Sequence, residues 1–323
     1  MRYLAPRVAL SILVTAVAAA AAPAAVEPTR AIAVALPVQQ LALTRRSVAY
    51  VADAAPDAPR CARIGFWNTA SDQRFTLDAQ EQCFEQTSTG QGVWDVAVAT
   101  NRVLWITYGG GNIREWTLWT ATTTRRTPRR LRFVARDVDA SPPIVLGPGT
   151  NYAVPYAVDR EILYLGNHGK ALFRTTVGAP VLALTSHPLT RPHGPAAVVA
   201  LLASNELIGL HETGTEVFRV AVPPGVSAIA YDDRRSILYQ LGNVVHADGG
   251  DVALPAGAVM VDASRGKILW TRAGDLGVTS MATKASRRLV DGSQSRAVVG
   301  QVELAGLAWA RGKLVRWRSG RLP

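Results

Sequence analysis

The segment Val261-Asp-Ala-Ser-Arg-Gly-Lys-Ile-Leu-Trp270 contains the pattern that decides the fold of this chain. An apolar stretch is followed by a polar turn and by a second apolar stretch that ends on an aromatic residue, as in a β-hairpin. The same order of residues recurs at Leu41–Tyr50, Val96–Trp105, Ile229–Tyr239 and Leu307–Trp317. Recurrence at intervals of tens of residues indicates a repeat architecture.

A second repeated unit consists of two apolar strands joined by a turn that contains glycine. It occurs at Ile162–Phe173, Leu207–Phe218 and Val244–Leu254. Such hairpins suit the outer half of a propeller blade, where glycine accepts a positive φ in the tight turn. No segment keeps the apolar spacing of an amphipathic helix over several turns, so we expect strands throughout.

Placed end to end, these units predict an all-β fold, a β-propeller formed by residues 25–323 as a single domain. The spacing of the units is close to the ~40 residues of a four-stranded blade. It favours seven blades, with six or eight as alternatives. The predicted blades cover residues 38–78, 92–135, 142–177, 180–223, 225–255, 257–291 and a last segment from 297. The last blade lacks a strand, and residues 30–37 at the N-terminus are predicted to supply it and so remove the open edges.

Individual repeats resemble those of known propeller families. Val261–Trp270 and Glu212–Phe218 resemble the repeats of pyrroloquinoline-quinone-type (PQQ-like) propellers. Residues 232–239 are similar to the WD40-like repeats of secreted bacterial proteins of the TolB type. The resemblance implies the propeller fold. Because many proteins with such repeats are scaffolds without a cofactor, and the adjacent cysteine pair associated with the quinone enzymes is missing here, we expect no cofactor.

The first residues have the features of a signal peptide. Arg2 and Arg7 are followed by an apolar run from Val8 to Ala22, and Ala22-Pro23-Ala24 matches the small-residue pattern of a cleavage site. The sequence therefore predicts a signal peptide at residues 1–24 and a secreted or cell-envelope location. The apolar run is short for a membrane span, and we expect no transmembrane segment after cleavage.

The chain contains two cysteines, Cys61 and Cys83. In an oxidising compartment such a pair most simply forms an intrachain disulfide, and two free thiols are the alternative. A bond that closes a loop of this length stabilises a fold by about 3 kcal/mol in the chain-entropy model.

Arginine side chains concentrate after two tryptophans, Trp116 and Trp119. Guanidinium groups beside aromatic rings suit carboxylate, phosphate or sugar-acid ligands, so this segment is a candidate anion-binding edge, with a solvated blade edge as the alternative. Strand alternation predicts Trp116 and Trp119 on opposite faces of their sheet. The arginines are Arg125, Arg126, Arg129, Arg130, Arg132 and Arg136.

Signatures of other chemistry are missing from the sequence. The formal charge of +11 comes without a nucleic-acid-binding motif, so no nucleic acid is expected. Among the 5 histidines only His187 and His193 lie close together, without the spacing of a zinc site, and no metal is expected. There is no Gly-x-Ser-x-Gly motif. No residue is therefore assigned a catalytic role.

Two functional hypotheses follow from the sequence. The favoured one is an exported, non-enzymatic propeller, expected to be monomeric, that serves as a binding or interaction scaffold for a protein or an acidic envelope polymer. The alternative is an enzyme with its active site in the central funnel, either a quinone or sugar oxidoreductase or a lyase or hydrolase. Three or more convergent ionisable side chains at one mouth of the funnel would favour the enzyme.

Overall fold

The structure is a computed structural model that describes residues 29–44, 46–52, 60–77, 82–84, 92–187, 196–232, 236–290, 298–303 and 306–319. These residues form seven antiparallel sheets and no helix. The predicted all-β propeller with seven blades is therefore confirmed. The predicted signal peptide, residues 1–24, lies outside the described residues.

Each blade has four strands that follow each other along the chain, except that blade 1 has a fifth strand, β6, and blade 7 takes its fourth, β1, from the N-terminus. Blade 1 consists of β2 (Val38–Thr44), β3 (Ser47–Ala52), β4 (Arg60–Asn68), β5 (Gln73–Thr76) and β6 (Gln82–Phe84), and blade 2 of β7 (Gly92–Val98), β8 (Arg102–Gly110), β9 (Ile113–Thr122) and β10 (Arg129–Asp137). Blade 3 consists of β11 (Ile144–Leu146), β12 (Ala153–Val158), β13 (Glu161–Gly166) and β14 (Ala171–Thr176). Blade 4 consists of β15 (Val181–Ser186), β16 (Val198–Leu202), β17 (Glu206–Leu210) and β18 (Glu216–Ala221). Blade 5 consists of β19 (Val226–Tyr231), β20 (Ile237–Leu241), β21 (Val244–His246) and β22 (Val252–Ala253). Blade 6 consists of β23 (Val259–Ser264), β24 (Lys267–Arg272), β25 (Asp275–Ser280) and β26 (Ser286–Val290). Blade 7 consists of β27 (Val298–Glu303), β28 (Gly306–Arg311), β29 (Leu314–Ser319) and β1 (Arg30–Ala33).

The N-terminal strand closes the ring, as the sequence predicts. β1 pairs antiparallel with β29, so the last blade is built from both ends of the chain. The strand is shorter than the predicted 30–37 and ends at Ala33. Residues 34–37 then cross from blade 7 to blade 1, held by hydrogen bonds from the Val34 and Val38 amides to the carbonyls of Lys313 and Gly312, both 2.9 Å. We call residues 32–36 the closing segment.

Buried apolar clusters lie between neighbouring blades. In the described part of the chain each of the seven junctions has one such cluster, and the cluster between blades 7 and 1 joins Ile32 and Val315 to Val48 and Trp67. Second strands, which are covered on both faces, are almost continuously apolar, whereas outer strands such as β18 are largely exposed. The packing between blades thus explains why strands in this chain are continuous apolar runs rather than strict alternations of apolar and polar residues.

Glycines opposite aromatic rings explain the aromatic residue that ends several repeats. Tyr50 pairs with Gly65 across β3 and β4, and a Cβ atom at Gly65 would lie 2.0 Å from the Tyr50 ring. Trp270 lies over Gly277 in the same way. The ring covers the strand surface that the glycine leaves open, which fixes the pairing register.

Blade 1 has one additional strand, β6, beside its main sheet. β6 pairs with the N-terminal half of β4, and the register places Cys61 opposite Cys83. Directly opposed residues of antiparallel strands have Cα atoms about 4.5 to 5.5 Å apart, which is within the range that a disulfide spans. The backbone is therefore compatible with the predicted bond.

We expect mass spectrometry of the unreduced protein purified from culture medium to find a linked Cys61–Cys83 peptide pair. Replacing both cysteines by serine is expected to lower the free energy of unfolding by about 3 kcal/mol, because the unfolded chain gains freedom. Two unlinked peptides would contradict both the bond and the export on which it depends.

Candidate functional site

Four exposed arginines form a group at one end of blade 2. Arg125 and Arg126 lie in the turn between β9 and β10, and Arg129 and Arg130 begin β10. The Thr122 hydroxyl accepts a hydrogen bond from the Arg125 amide (2.8 Å), which holds the turn. Within the described residues, no carboxylate forms an ion pair with any of the four. We call Arg125, Arg126, Arg129 and Arg130 the basic rim.

The basic rim lies on the face of the ring where each blade turns from its first to its second strand and from its third to its fourth. We call this the lower face; it carries the turns at 98–102, 122–129 and 166–171. Arg126 stacks on Phe75 of blade 1, with its Cζ atom 4.3 Å from the ring centroid, and Arg130 lies 5.9 Å from the Phe133 centroid. Two of the four guanidinium groups are thus held by rings, and Arg125 and Arg129 extend into solvent.

Two arginines of the predicted cluster belong elsewhere. Arg132 forms a salt bridge with Glu161 of blade 3 (2.9 Å), and Arg136 pairs with Asp159 of the same blade. A β-bulge at Leu131 separates them from the basic rim. Partly exposed pairs of this kind contribute only tenths of a kcal/mol, but they occupy both arginines in the junction between blades 2 and 3.

The two tryptophans lie on opposite faces of blade 2, as predicted from strand alternation. Trp116 is 2% exposed and packs with Leu118 in the core between blades 2 and 3. Trp119 packs against the core between blades 1 and 2, and its Nε1 donates a hydrogen bond to the Thr107 hydroxyl (3.0 Å). Neither ring is free for a ligand of the basic rim, so the aromatic contribution predicted for this edge is instead structural.

A buried arginine that the sequence did not single out lies beneath the basic rim. The Arg102 side chain, in a residue 5% exposed, donates from Nε (3.2 Å) and Nη2 (2.9 Å) to the Asn167 carbonyl of blade 3 and from Nη1 to the Thr120 hydroxyl (3.0 Å). Burial, and then repulsion by Arg129, lower the pKa of Arg102, but arginine stays charged at neutral pH. It adds a fixed positive charge below the basic rim.

The innermost strands surround the central channel, and five of them carry the same β-bulge. The extra residue is exposed in each of these blades and is apolar in three of them. Trp94, for example, is 46% exposed and Leu182 is 48% exposed. A bulge increases local twist, which suits strands that converge on an axis. The five extra residues are Gln39, Trp94, Leu182, Ser227 and Val261.

Ionisable side chains are scarce around the channel. On the inner strands of blades 1 to 6, whose side chains are described, Asp95 and Asp262 are the only carboxylates, there is no basic side chain, and blades 2 and 6 are not neighbours. Each carboxylate accepts a hydrogen bond from the next residue's amide, 2.8 Å long in both cases. The inner strands of these six blades therefore do not bring three acidic or basic side chains together.

Asp95 is nevertheless electrostatically unusual. Burial raises the pKa of its carboxyl to about 7, and the hydrogen bond from the Val96 amide opposes that shift. The adjacent Trp94 ring makes an edge contact with Trp116, at a centroid distance of 5.3 Å. A carboxylate inside the apolar segment Val93–Val98 is the sequence signal that could have revealed this residue.

The structure brings no metal ligands together among the residues it describes. His187 is buried, with its ring 4.8 Å from that of Tyr231, and His193 lies outside the described residues. The described segments also include no helix long and apolar enough to cross a membrane.

Comparison with known proteins finds similarity in structure only. Neither a protein-family model nor a curated protein sequence matches the chain. The crystal structure of the mitotic checkpoint complex contains a chain that matches with a TM-score of 0.55 and 13% identity, covering 95% of this chain and 100% of that one. Virginiamycin B lyase from Staphylococcus aureus matches with a TM-score of 0.55 and 10% identity, covering 91% and 99%. Sqt1 from Saccharomyces cerevisiae matches with a TM-score of 0.50 and 9% identity, covering 90% and 98%. The chain thus has the fold of WD40-type and other propeller proteins, a β-propeller scaffold.

Proposed function

We propose that this protein is an exported, non-enzymatic propeller that binds an acidic partner, an envelope polymer or an acidic protein surface, through the basic rim of blade 2. The observation that carries the proposal is the set of four exposed guanidinium groups that no described carboxylate neutralises. Arginine pairs readily with carboxylate and phosphate groups. WD40-type propellers generally act as interaction scaffolds, and the fold is compatible with this role.

The environment of the basic rim favours anion binding over mere solvation. Like charges at neighbouring positions repel, and Arg102 adds a buried positive charge close to Arg129. An anionic ligand would relieve this repulsion. Export is supported by the signal-peptide pattern of residues 1–24 and by the register of Cys61 and Cys83.

The alternative of a funnel enzyme rests on Asp95. A carboxyl whose pKa is about 7 can act as a general base near neutral pH. Catalysis also requires groups that position and stabilise the reacting atoms, and the described inner strands place no second ionisable side chain in a blade next to blade 2. The geometry therefore favours the binding role.

The proposal can be tested with polygalacturonate as an anionic polymer and dextran as its neutral counterpart. We expect saturable binding of polygalacturonate that weakens with added salt. The double variant Arg125→Ser/Arg129→Ser should weaken binding about tenfold at low salt, since two exposed charge contacts together contribute about 1.4 kcal/mol. Arg126 and Arg130 are kept because each lies over an aromatic ring, Phe75 and Phe133 respectively.

The matched control is Arg160→Ser/Arg287→Ser, which removes the same charge from exposed positions in blades 3 and 6. It should change affinity less than twofold, because screening limits the effect of distant charges. An equal loss in the two double variants would show that only net charge matters. That result, or binding of dextran as tight as that of polygalacturonate, would refute the proposed role of the basic rim.

A further inference from the structure

An open cleft of about 260 Å³ lies where the ring closes, between the closing segment and the outer half of blade 1. One wall is the apolar chain of residues 32–36. The other wall is formed by β3, β4 and β5 of blade 1 and includes Tyr50, Arg63, Arg74 and Phe75. No carboxylate is among the lining residues, so the cleft combines an apolar wall with a wall that contains two arginines.

Arg74 is held in place at the edge of the cleft. Its Nη2 and Nε atoms donate to the carboxylate of Asp72, at 2.6 and 3.2 Å, and the Trp67 indole donates to the same carboxylate at 2.9 Å. The Nη1 group makes no hydrogen bond within the described residues. An arginine fixed in this way offers its remaining donors without a large loss of side-chain freedom on binding.

Tyr50 supplies a neutral donor to the same space. Its ring lies flat over Gly65, which fixes the position of the hydroxyl. Burial raises the pKa of the Tyr50 hydroxyl, with Arg74 opposing the shift, so the group keeps its proton at neutral pH. The hydroxyl has no hydrogen-bond partner in the described part of the chain.

We infer that this cleft is a binding site for a carboxylate carried on a small apolar body. Arg74 and the Tyr50 hydroxyl would bind the carboxylate, and residues such as Val34 and Leu36 would pack against the apolar part. The volume lies slightly below the range of about 300 to 1,000 Å³ that is typical of ligand pockets. The ligand is therefore the size of one amino acid or a short-chain acid.

The inference goes beyond the proposed function, because the cleft and the basic rim have different residues. Among the described residues Phe75 joins them: it contributes to the cleft, and Arg126 stacks on its face. One wall comes from the N-terminal closing segment and the other from blade 1, so a bound ligand holds the closure of the ring. Binding should therefore raise the thermal unfolding midpoint of the protein.

The probes are 4-methylpentanoate and a tripeptide that ends in leucine with a free carboxylate, each compared with its amide by calorimetry. Saturation at one site by the free acid alone would assign the ligand to small acids. Saturation by the tripeptide would assign it to peptide C-termini. Failure of both acids to saturate a site by about 10 mM, a limit that corresponds to very weak affinity, would overturn the inference, as would equal binding of the amides.

Variants of the cleft locate the site. Ala35 is exposed and lines the cleft, so Ala35→Asp adds a repelling carboxylate and should weaken binding at least tenfold, whereas Ala35→Asn should change it less than twofold. Tyr50→Phe keeps the ring over Gly65 and should weaken binding about threefold to tenfold by removing one donor to a charged group. Arg125→Ser/Arg129→Ser should leave binding to the cleft unchanged. Equal effects of the two Ala35 variants would overturn the assignment without affecting the basic rim.

Discussion

Replacing Arg102 by alanine is expected to lower the free energy of unfolding by about 3 kcal/mol. The substitution leaves the Asn167 carbonyl without its two guanidinium donors and removes the link between blades 2 and 3. It also removes the aliphatic part of the side chain, which is buried, since Arg102 is only 5% exposed. Urea unfolding at neutral pH measures the change.

Two further substitutions separate the geometry of Arg102 from its charge. Arg102→Lys keeps the positive charge and most of the aliphatic stem but cannot form the forked contact, so it should lose an intermediate amount of stability. Arg129→Ala removes an exposed neighbour that repels Arg102 and should change stability by less than about 0.5 kcal/mol. If Arg102→Ala is as stable as the parent protein, Arg102 does not hold the two blades together.

Replacing Asp95 by asparagine is expected to stabilise the protein by about 3 kcal/mol at pH 8, a value reduced from the full shift because the residue is partly exposed. The pKa of this carboxyl is about 7 in the folded protein, against 3.8 for an unperturbed aspartate. The folded state thus binds the proton more tightly than the unfolded state does. Stability is greatest below the unfolded pKa and falls as the pH rises from about 4 to about 7. Asparagine is neutral throughout and retains an oxygen that can accept from the Val96 amide.

The measurement is the difference in unfolding free energy between Asp95→Asn and the parent protein at pH 5 and pH 8. The gain at pH 8 should be about two to three times that at pH 5, because at pH 5 the carboxyl is ionised in the unfolded chain but still protonated in the folded protein. The exposed Asp248→Asn serves as a control and should change stability by less than about 0.5 kcal/mol at both pH values. A gain that is the same at pH 5 and pH 8 would show that Asp95 is not desolvated.

The sequence was sufficient to predict the blades because each blade is a local structure. Hairpins such as Ile162–Phe173 and Leu207–Phe218 are encoded by a glycine turn between apolar runs, and the structure has them as the outer strand pairs of blades 3 and 4. The closing strand could be predicted because a strand before the first blade had no partner. It ends early, at Ala33, because the chain must then cross to blade 1.

The residues around the candidate site could be predicted only in part. Alternation placed Trp116 and Trp119 on opposite faces, but the packing of both depends on the adjacent blades. Arg132 is separated from the basic rim by its pairing with Glu161, a residue of another blade. Contacts of this kind depend on how blades pack, which sequence spacing does not encode. The bulge that exposes Trp94 and the desolvation of Asp95 also depend on how the blades pack.

The proposal that the basic rim binds acidic partners is tested most directly by hydrogen–deuterium exchange of backbone amides with and without polygalacturonate. The polymer is expected to slow exchange in the turn between β9 and β10 and at the start of β10, residues 122–130, and to leave the outer strand of blade 6 unchanged. Protection confined to other blades, or no protection at saturating polymer, would contradict binding at the basic rim.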